Sequence, residues 1–265
     1  MRRLHLFEFG DLKNCPTIFK NYLTDFLQFC ATRFKLYDDL IPVLNEALLK
    51  SGKNTIIDIG SGGGGGMLTI YNKLKTSVPE LDILLTDINP NLSAFDRIHV
   101  ITDGKIAYFK EPVDATNIPE GLDGFRTMFK CFHHFRPETA KKILQDCINK
   151  NKPIGIFEGQ ERSFWYTLYF FLINPVLILL VTPFIRPFKW GRLVFTYFVP
   201  VMPLIICWDA TVSCLRTYEP EDLKNTISSL KNHDTFHWEI NKIRKNHRIV
   251  LYLVGYPKAL EEISI

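Results

Sequence analysis

At 265 residues the chain is long enough to bury a substantial core as one large α/β domain with insertions, or as one domain with a small cap. Its 32 Lys and Arg against 28 Asp and Glu leave a net charge of +4, spread along the chain with no tract of the kind that binds nucleic acid. Six cysteines, at 15, 30, 131, 147, 207 and 214, form no C-x-x-C pair and no zinc spacing, so a reduced, cytoplasmic setting is the simplest account and no metal is implied.

The start is basic, but Glu8 and Asp11 interrupt its apolar run, unlike a secretory signal peptide. Phe19, Tyr22, Leu23, Phe26 and Leu27, then Leu40, Val43, Leu44, Ala47 and Leu48, recur at helical spacing and predict two helices within residues 1–50. Thr55, Ile56 and Ile57 form a short apolar run that enters the glycine tract Gly60 to Gly66, and Leu68 to Leu74 resumes helical spacing. The order strand, glycine turn, helix is the first half of a βαβ unit. Glycine there admits positive φ and lets a ligand lie on the backbone, while the helix start offers unpaired N–H groups. A floppy loop without a ligand is the bland alternative. Leu81 to Thr86 predicts a second strand with Asp87 at its C-terminal end, where open α/β sheets place ligands and a carboxylate can accept from two ribose hydroxyls.

Gly60, Gly62 and Gly65 satisfy the dinucleotide pattern G-x-G-x-x-G, a weak match alone. Asp58 lies two positions before the first glycine, and Asp58, Gly60, Gly62 and Gly64 together resemble the first motif of the class I S-adenosylmethionine-dependent methyltransferases. The resemblance implies an α/β fold, a Rossmann-like seven-stranded sheet with an antiparallel C-terminal hairpin, in a single domain with S-adenosylmethionine as cofactor. It makes Asp87 the ribose-binding acid and residues 1–50 part of a helical substrate lid. That lid would bring Phe7, Phe9, Phe19, Tyr22 or Phe26 near the acceptor, unless those rings only pack in the core.

Ile106 to Lys110 predicts a third strand, and the following Asp114-Ala115 resembles the adenine-side motif of the same family. Taken singly, Asp114 is as well read as a turn or cap residue. The cofactor contacts implied by the resemblance are therefore Asp58, Gly60, Ser61, Gly62, Gly64, Asp87, Ile88, Asp114 and Ala115. Phe125 to Cys131 predicts a fourth strand ending at His133-His134, which resembles motif four of many small-molecule methyltransferases. Either neutral imidazole is a competent general base, or the pair braces the loop. A helix over Ala140 to Asn149 leads to a fifth strand ending at Glu158, which either touches substrate or holds Arg162 or a backbone amide.

Phe164 to Phe184 is 21 residues without a charge, followed by Arg186, Lys189 and Arg192 and a second uncharged run from Leu193 to Trp208. Its length permits membrane insertion. Pro175, Pro183, Pro187, Pro200 and Pro203 and the basic tip stand against two plain spans. Residues 164–208 therefore read as a lipophilic substrate pocket, as an interfacial element at the inner face of a membrane, as two spans, or as a thick hydrophobic core. Trp165 and neighbouring aromatics are candidates for substrate or headgroup contact.

The stretch Asp209 to Pro220 resembles one in a bacterial subgroup of these enzymes, where Asp209 and Arg216 orient substrate or pair with each other across a turn. Glu219 to Asp222 reads as a helix start, and Phe236 to Pro257 as two strands joined by a basic segment, Lys242 to Arg248. That segment reads as a solvated turn or a membrane-facing edge. The acceptor most economical with these residues is an oxygen on an apolar or amphiphilic small molecule, with His133 or His134 as base. A non-catalytic, membrane-associated scaffold is the alternative.

Overall fold

The computed structural model describes residues 1–245 and 248–258. Seven strands form one sheet: β1 (Thr55–Ile59), β2 (Asp82–Thr86), β3 (Ile106–Tyr108), β4 (Phe125–Phe129), β5 (Ile154–Glu158), β6 (Phe236–Lys245) and β7 (Arg248–Pro257). Their order is β3-β2-β1-β4-β5-β7-β6. The first five are parallel, and β7 runs antiparallel to both β5 and β6. β1 is buried along its length except at Thr55, as a parallel strand covered on both faces must be. The chain moves outward from β1 to β3, then returns to place β4 on the other side of β1. That reversal opens a crevice at the C-terminal ends of β1 and β4.

Nine helices are described: α1 (Thr17–Arg33), α2 (Ile41–Ser51), α3 (Gly65–Leu74), α4 (Leu92–Ile101), α5 (Pro137–Asn149), α6 (Phe164–Val181), α7 (Trp190–Leu193), α8 (Val201–Arg216) and α9 (Pro220–Ser228). Local chemistry sets several of their starts. Asn91 accepts from the N–H of Ala94 at the head of α4, and α5 begins on Pro137, whose missing N–H is not needed there. Glu219 and Asp222 form a reciprocal capping box on α9.

The chain divides into two compact units, Met1–Lys35 with Gln160–Tyr218, and Leu36–Gly159 with the chain from Glu219 onward. The second holds the sheet with α2 to α5 and α9. The first is helical, and its core joins Tyr22 and Phe26 of α1 to Ile178 of α6 and Met202, Ile205 and Ile206 of α8. The two helices predicted within residues 1–50 thus belong to different units. Of the aromatic rings considered for a lid, Tyr22 and Phe26 are core, Phe9 and Phe19 pack beside it, and Phe7 lies against Trp208.

Several expectations for the apolar region change. α6 continues through Pro175 and ends in a short 3-10 turn at Thr182–Phe184. It is not a thick core, because Asn174 and Ile178 are its only buried residues. The second run starts as α7 and a π-helical turn, Val194–Phe198, breaks at Pro200, and turns by 81° into α8. α8 then continues to Arg216, so Asp209 to Arg216 is helix rather than turn. The basic segment is also more than a solvated turn. Lys242 pairs with Glu219, while Lys245 and Arg248 both pair with Asp39, at 3.6 and 2.7 Å. Residues 246 and 247 of that segment lie outside the described residues.

Candidate active site

The glycine turn after β1 is stitched to the end of β2. Ser61 donates its backbone N–H to the Thr86 carbonyl at 3.0 Å, and its hydroxyl accepts from the Thr86 N–H at 3.2 Å. One residue on, Gly62 donates its N–H to Asp87 Oδ2 at 2.8 Å, and Asn89 donates to Oδ1 at 2.8 Å. The Asp87 carbonyl accepts from Val113, which brings the loop after β3 alongside. Two of the glycines are required for different reasons. Gly64 has φ +67° and a Cβ there would lie 2.8 Å from Leu85 Cδ1, so close packing demands glycine. Gly62 has φ +57° and a Cβ would meet nothing within 4 Å, so the ground above it is open. α3 starts directly beyond, where Met67 already donates to the Gly64 carbonyl at 3.0 Å and the N–H groups of Gly65 and Gly66 head the helix.

Asp58 stands behind this turn. Its carboxylate is buried and accepts from the hydroxyl of Thr127, its register partner on β4, at 2.9 Å. Burial pushes its pKa up to about 7, against the nearby hydroxyls of Ser61 and Thr127, the first of which donates to the Asp58 main-chain carbonyl at 3.1 Å. Asp58 therefore braces β1 to β4. Ile88 is exposed, Ala115 is buried, and Asp114 Oδ1 accepts from both the N–H and the hydroxyl of Thr116. That Asx turn fixes the Asp114 carboxylate and leaves Oδ2 for a ligand.

Across the reversal, Cys131 donates to the Ile59 carbonyl at 3.4 Å and its sulfur would touch a Cβ on Gly60, so the ends of β1 and β4 are in contact. The chain then makes one 3-10 turn, Phe132–His134. Glu158 Oε1 accepts from the His133 N–H at 3.0 Å, and Oε2 lies 2.9 Å from His133 Nδ1. Burial alone would raise the Glu158 carboxyl, but the adjacent His133 imidazole and its N–H bonds hold it below its ordinary value. An ionised carboxylate can only accept, so Nδ1 carries the hydrogen of that bond, and Nε2 is the ring nitrogen left to exchange a proton. The His134 ring lies 4.3 Å from that of His133.

The structure gathers Asp58, Gly60 to Gly64, Asp87, Asp114, Ala115, His133, His134 and Glu158 at the C-terminal ends of the parallel strands or in the loops that follow them. Trp165, Asp209 and Arg216 belong to the helical unit. There Asp209 accepts from the N–H groups of Phe9 and Gly10 at 2.7 and 3.0 Å. Arg216 donates to the Leu6 carbonyl at 2.7 Å and pairs with Glu8 and Asp11 at 3.1 and 2.7 Å. Both residues pin the N-terminal segment to α8, and neither braces a turn against the other. Tyr37 went unnoticed in the sequence because it sits between two helices with no periodicity. It is buried edge-on to Phe129, and its hydroxyl would lie 2.8 Å from a Cβ on Gly66, so it backs the start of α3.

No family model and no curated protein matches the chain. Solved structures do. The plantazolicin methyltransferase BpumL in complex with SAH superposes with TM-score 0.55 at 12% identity, over 94% of this chain and 92% of that one. The pyocyanin biosynthetic protein PhzM gives 0.54 at 12% identity over 94% of this chain, and PigF with SAH gives 0.52 at 15% over 95%. The chain spans 62% of the length of each of the latter two. These superpositions, joined to a sheet in which β7 inserts antiparallel between β5 and β6, decide the architecture. The fold is that of the class I methyltransferases.

In this methyltransferase fold the glycine turn, Asp87 and the Glu158–His133 pair converge on the reversal in strand order. One side of the site offers backbone N–H groups and a fixed carboxylate. The other offers an imidazole whose basic nitrogen is set by its neighbour.

Proposed function

We propose that the chain binds S-adenosylmethionine in the sheet unit and transfers its methyl group to an oxygen of an apolar or amphiphilic small molecule. The observation that carries this reading is the Gly62 N–H bound to Asp87 Oδ2, beside open ground where a side chain on Gly62 would stand. The residues fit the cofactor. Asp87 can accept from ribose hydroxyls, Asp114 Oδ2 from an exocyclic amine, and buried Ala115 has no bulk to oppose an adenine ring. The solved BpumL and PigF structures hold SAH, the demethylated form of the same cofactor, on the same fold. When bound, S-adenosylmethionine supplies a methyl group already activated by its sulfonium, so the protein must mainly orient the acceptor and exclude water.

A hydroxyl acceptor must also lose a proton. His133 Nε2 takes it, and ionised Glu158, bonded to Nδ1, stabilises the imidazolium that results. The His134 ring lies beside it, tilted by 33° with 4.3 Å between centroids.

The test is to incubate the protein with methyl-labelled S-adenosylmethionine and an extract of its own cells, then partition the label. Label in the organic phase that His133→Ala reduces by about 10²- to 10⁴-fold supports the reading. Label in the aqueous phase would overturn the apolar acceptor, and cofactor binding without any transfer would favour a scaffold.

A further inference from the structure

The helical unit exposes an apolar surface that its own core does not use. Along α6, Trp165, Tyr169, Leu172, Val176 and Leu180 follow the helical repeat of three and four residues and are all exposed, Trp165 by 75%. The opposite face, with Asn174 and Ile178, is buried in the unit. The stripe carries no charge over its length, about 22 Å at the helical rise. Beyond its end, exposed Phe184, Phe188 and Trp190 surround exposed Arg186, whose guanidinium lies 5.9 Å from the Phe188 ring centroid. Large tryptophans beside a cation are what the boundary between headgroups and acyl chains favours.

Charge distinguishes a lipid surface from a second copy of the chain. The unit holds eleven Lys and Arg against five Asp and Glu, a net +6, although the whole chain is only +4. Two such faces repel, whereas an anionic leaflet attracts.

By length and composition α6 could cross a bilayer, but its far end is tied to a wet helix. Lys189 and Arg192 both pair with Asp25 of α1, and α1 exposes Asn21, Gln28, Thr32 and Arg33 to water. Carrying that end through hydrocarbon would carry α1 with it. We propose that the helical unit docks on an anionic phospholipid bilayer, burying the α6 stripe and the Phe184–Trp190 patch in one leaflet without crossing it.

The inference rests on the helical unit alone and is independent of methyl transfer. Full-length protein is sedimented with vesicles of phosphatidylcholine, with and without phosphatidylglycerol. The expected result is binding about tenfold tighter on the anionic vesicles, weakened by salt and released by alkaline carbonate. The combined variant Trp165→Glu, Leu172→Glu, Leu180→Glu should keep its circular dichroism and melting temperature and lose vesicle binding. Absence of binding by the wild type, equal binding by wild type and variant, or no preference for the anionic vesicles would overturn the proposal. Retention after carbonate would overturn it in favour of a span, and a variant that changes only self-association would do so in favour of a dimer.

Discussion

With Gly62 donating to one oxygen of Asp87 and Asn89 to the other, the carboxylate is oriented before any ligand arrives, and each oxygen keeps acceptor capacity for a ribose hydroxyl. Replacing Asp87 by Ala removes those acceptors and leaves the Gly62 N–H without its partner. Affinity for S-adenosylmethionine should fall by about 1 to 3 kcal/mol, roughly 5- to 150-fold, as read by calorimetry on folded variant. In the proposed mechanism Glu158 acts through His133, so Glu158→Gln should lower turnover with little change in KM and alter its pH profile, because the amide no longer stabilises the imidazolium. Asp58 makes a different prediction. Its folded pKa, about 7, lies above the ordinary 3.8, so the folded chain keeps a proton that the unfolded chain has released between those values. Stability from this group is therefore greatest at the acid end of that window, falls as pH rises through it, and levels off above. Asp58→Asn removes the titration, so its melting temperature relative to wild type should climb from about pH 5 to about pH 8. An unchanged difference would contradict the assignment. Asp87 and Glu158 were legible in the sequence as acids at strand ends. That Glu158 serves His133 was not, because the contact joins the ends of two strands and leaves no local pattern.

At the scale of elements, the glycine turn separates packing from binding. Gly64→Ala combines left-handed strain of about 1 to 2 kcal/mol with a collision against Leu85 worth roughly 1 to 3 more. Gly62→Ala meets only the strain and should melt at a higher temperature than Gly64→Ala, yet bind S-adenosylmethionine more weakly than wild type. Thermal melts with and without S-adenosylmethionine measure both effects. The parallel strands were readable because β1, β2 and β5 are short, mostly apolar runs that end beside Gly60, Asp87 and Gly159. The region after β5 was read less well. An uncharged run does not reveal whether both faces of its helix are buried, and α8 continued through Asp209 and Arg216 because the N-terminal segment satisfies both side chains.

For the whole molecule, the division into a sheet unit and a helical unit was the least legible feature. The helical unit joins residues 1–35 to 160–218, and bonds such as Gly10 to Asp209 connect positions about 200 apart in sequence, which no window on the chain can detect. The sheet unit, by contrast, carries the residues on which the proposed cofactor reading rests within the short stretch Asp58 to Asp87. The most direct test of that chemistry is a calorimetric titration of the purified full-length protein with S-adenosylmethionine, beside NADH and a Gly62→Arg variant. One-site binding of S-adenosylmethionine, abolished in the variant and with no response to NADH, is the predicted result. A folded wild type that ignores S-adenosylmethionine, or that binds NADH in its place, would contradict the account.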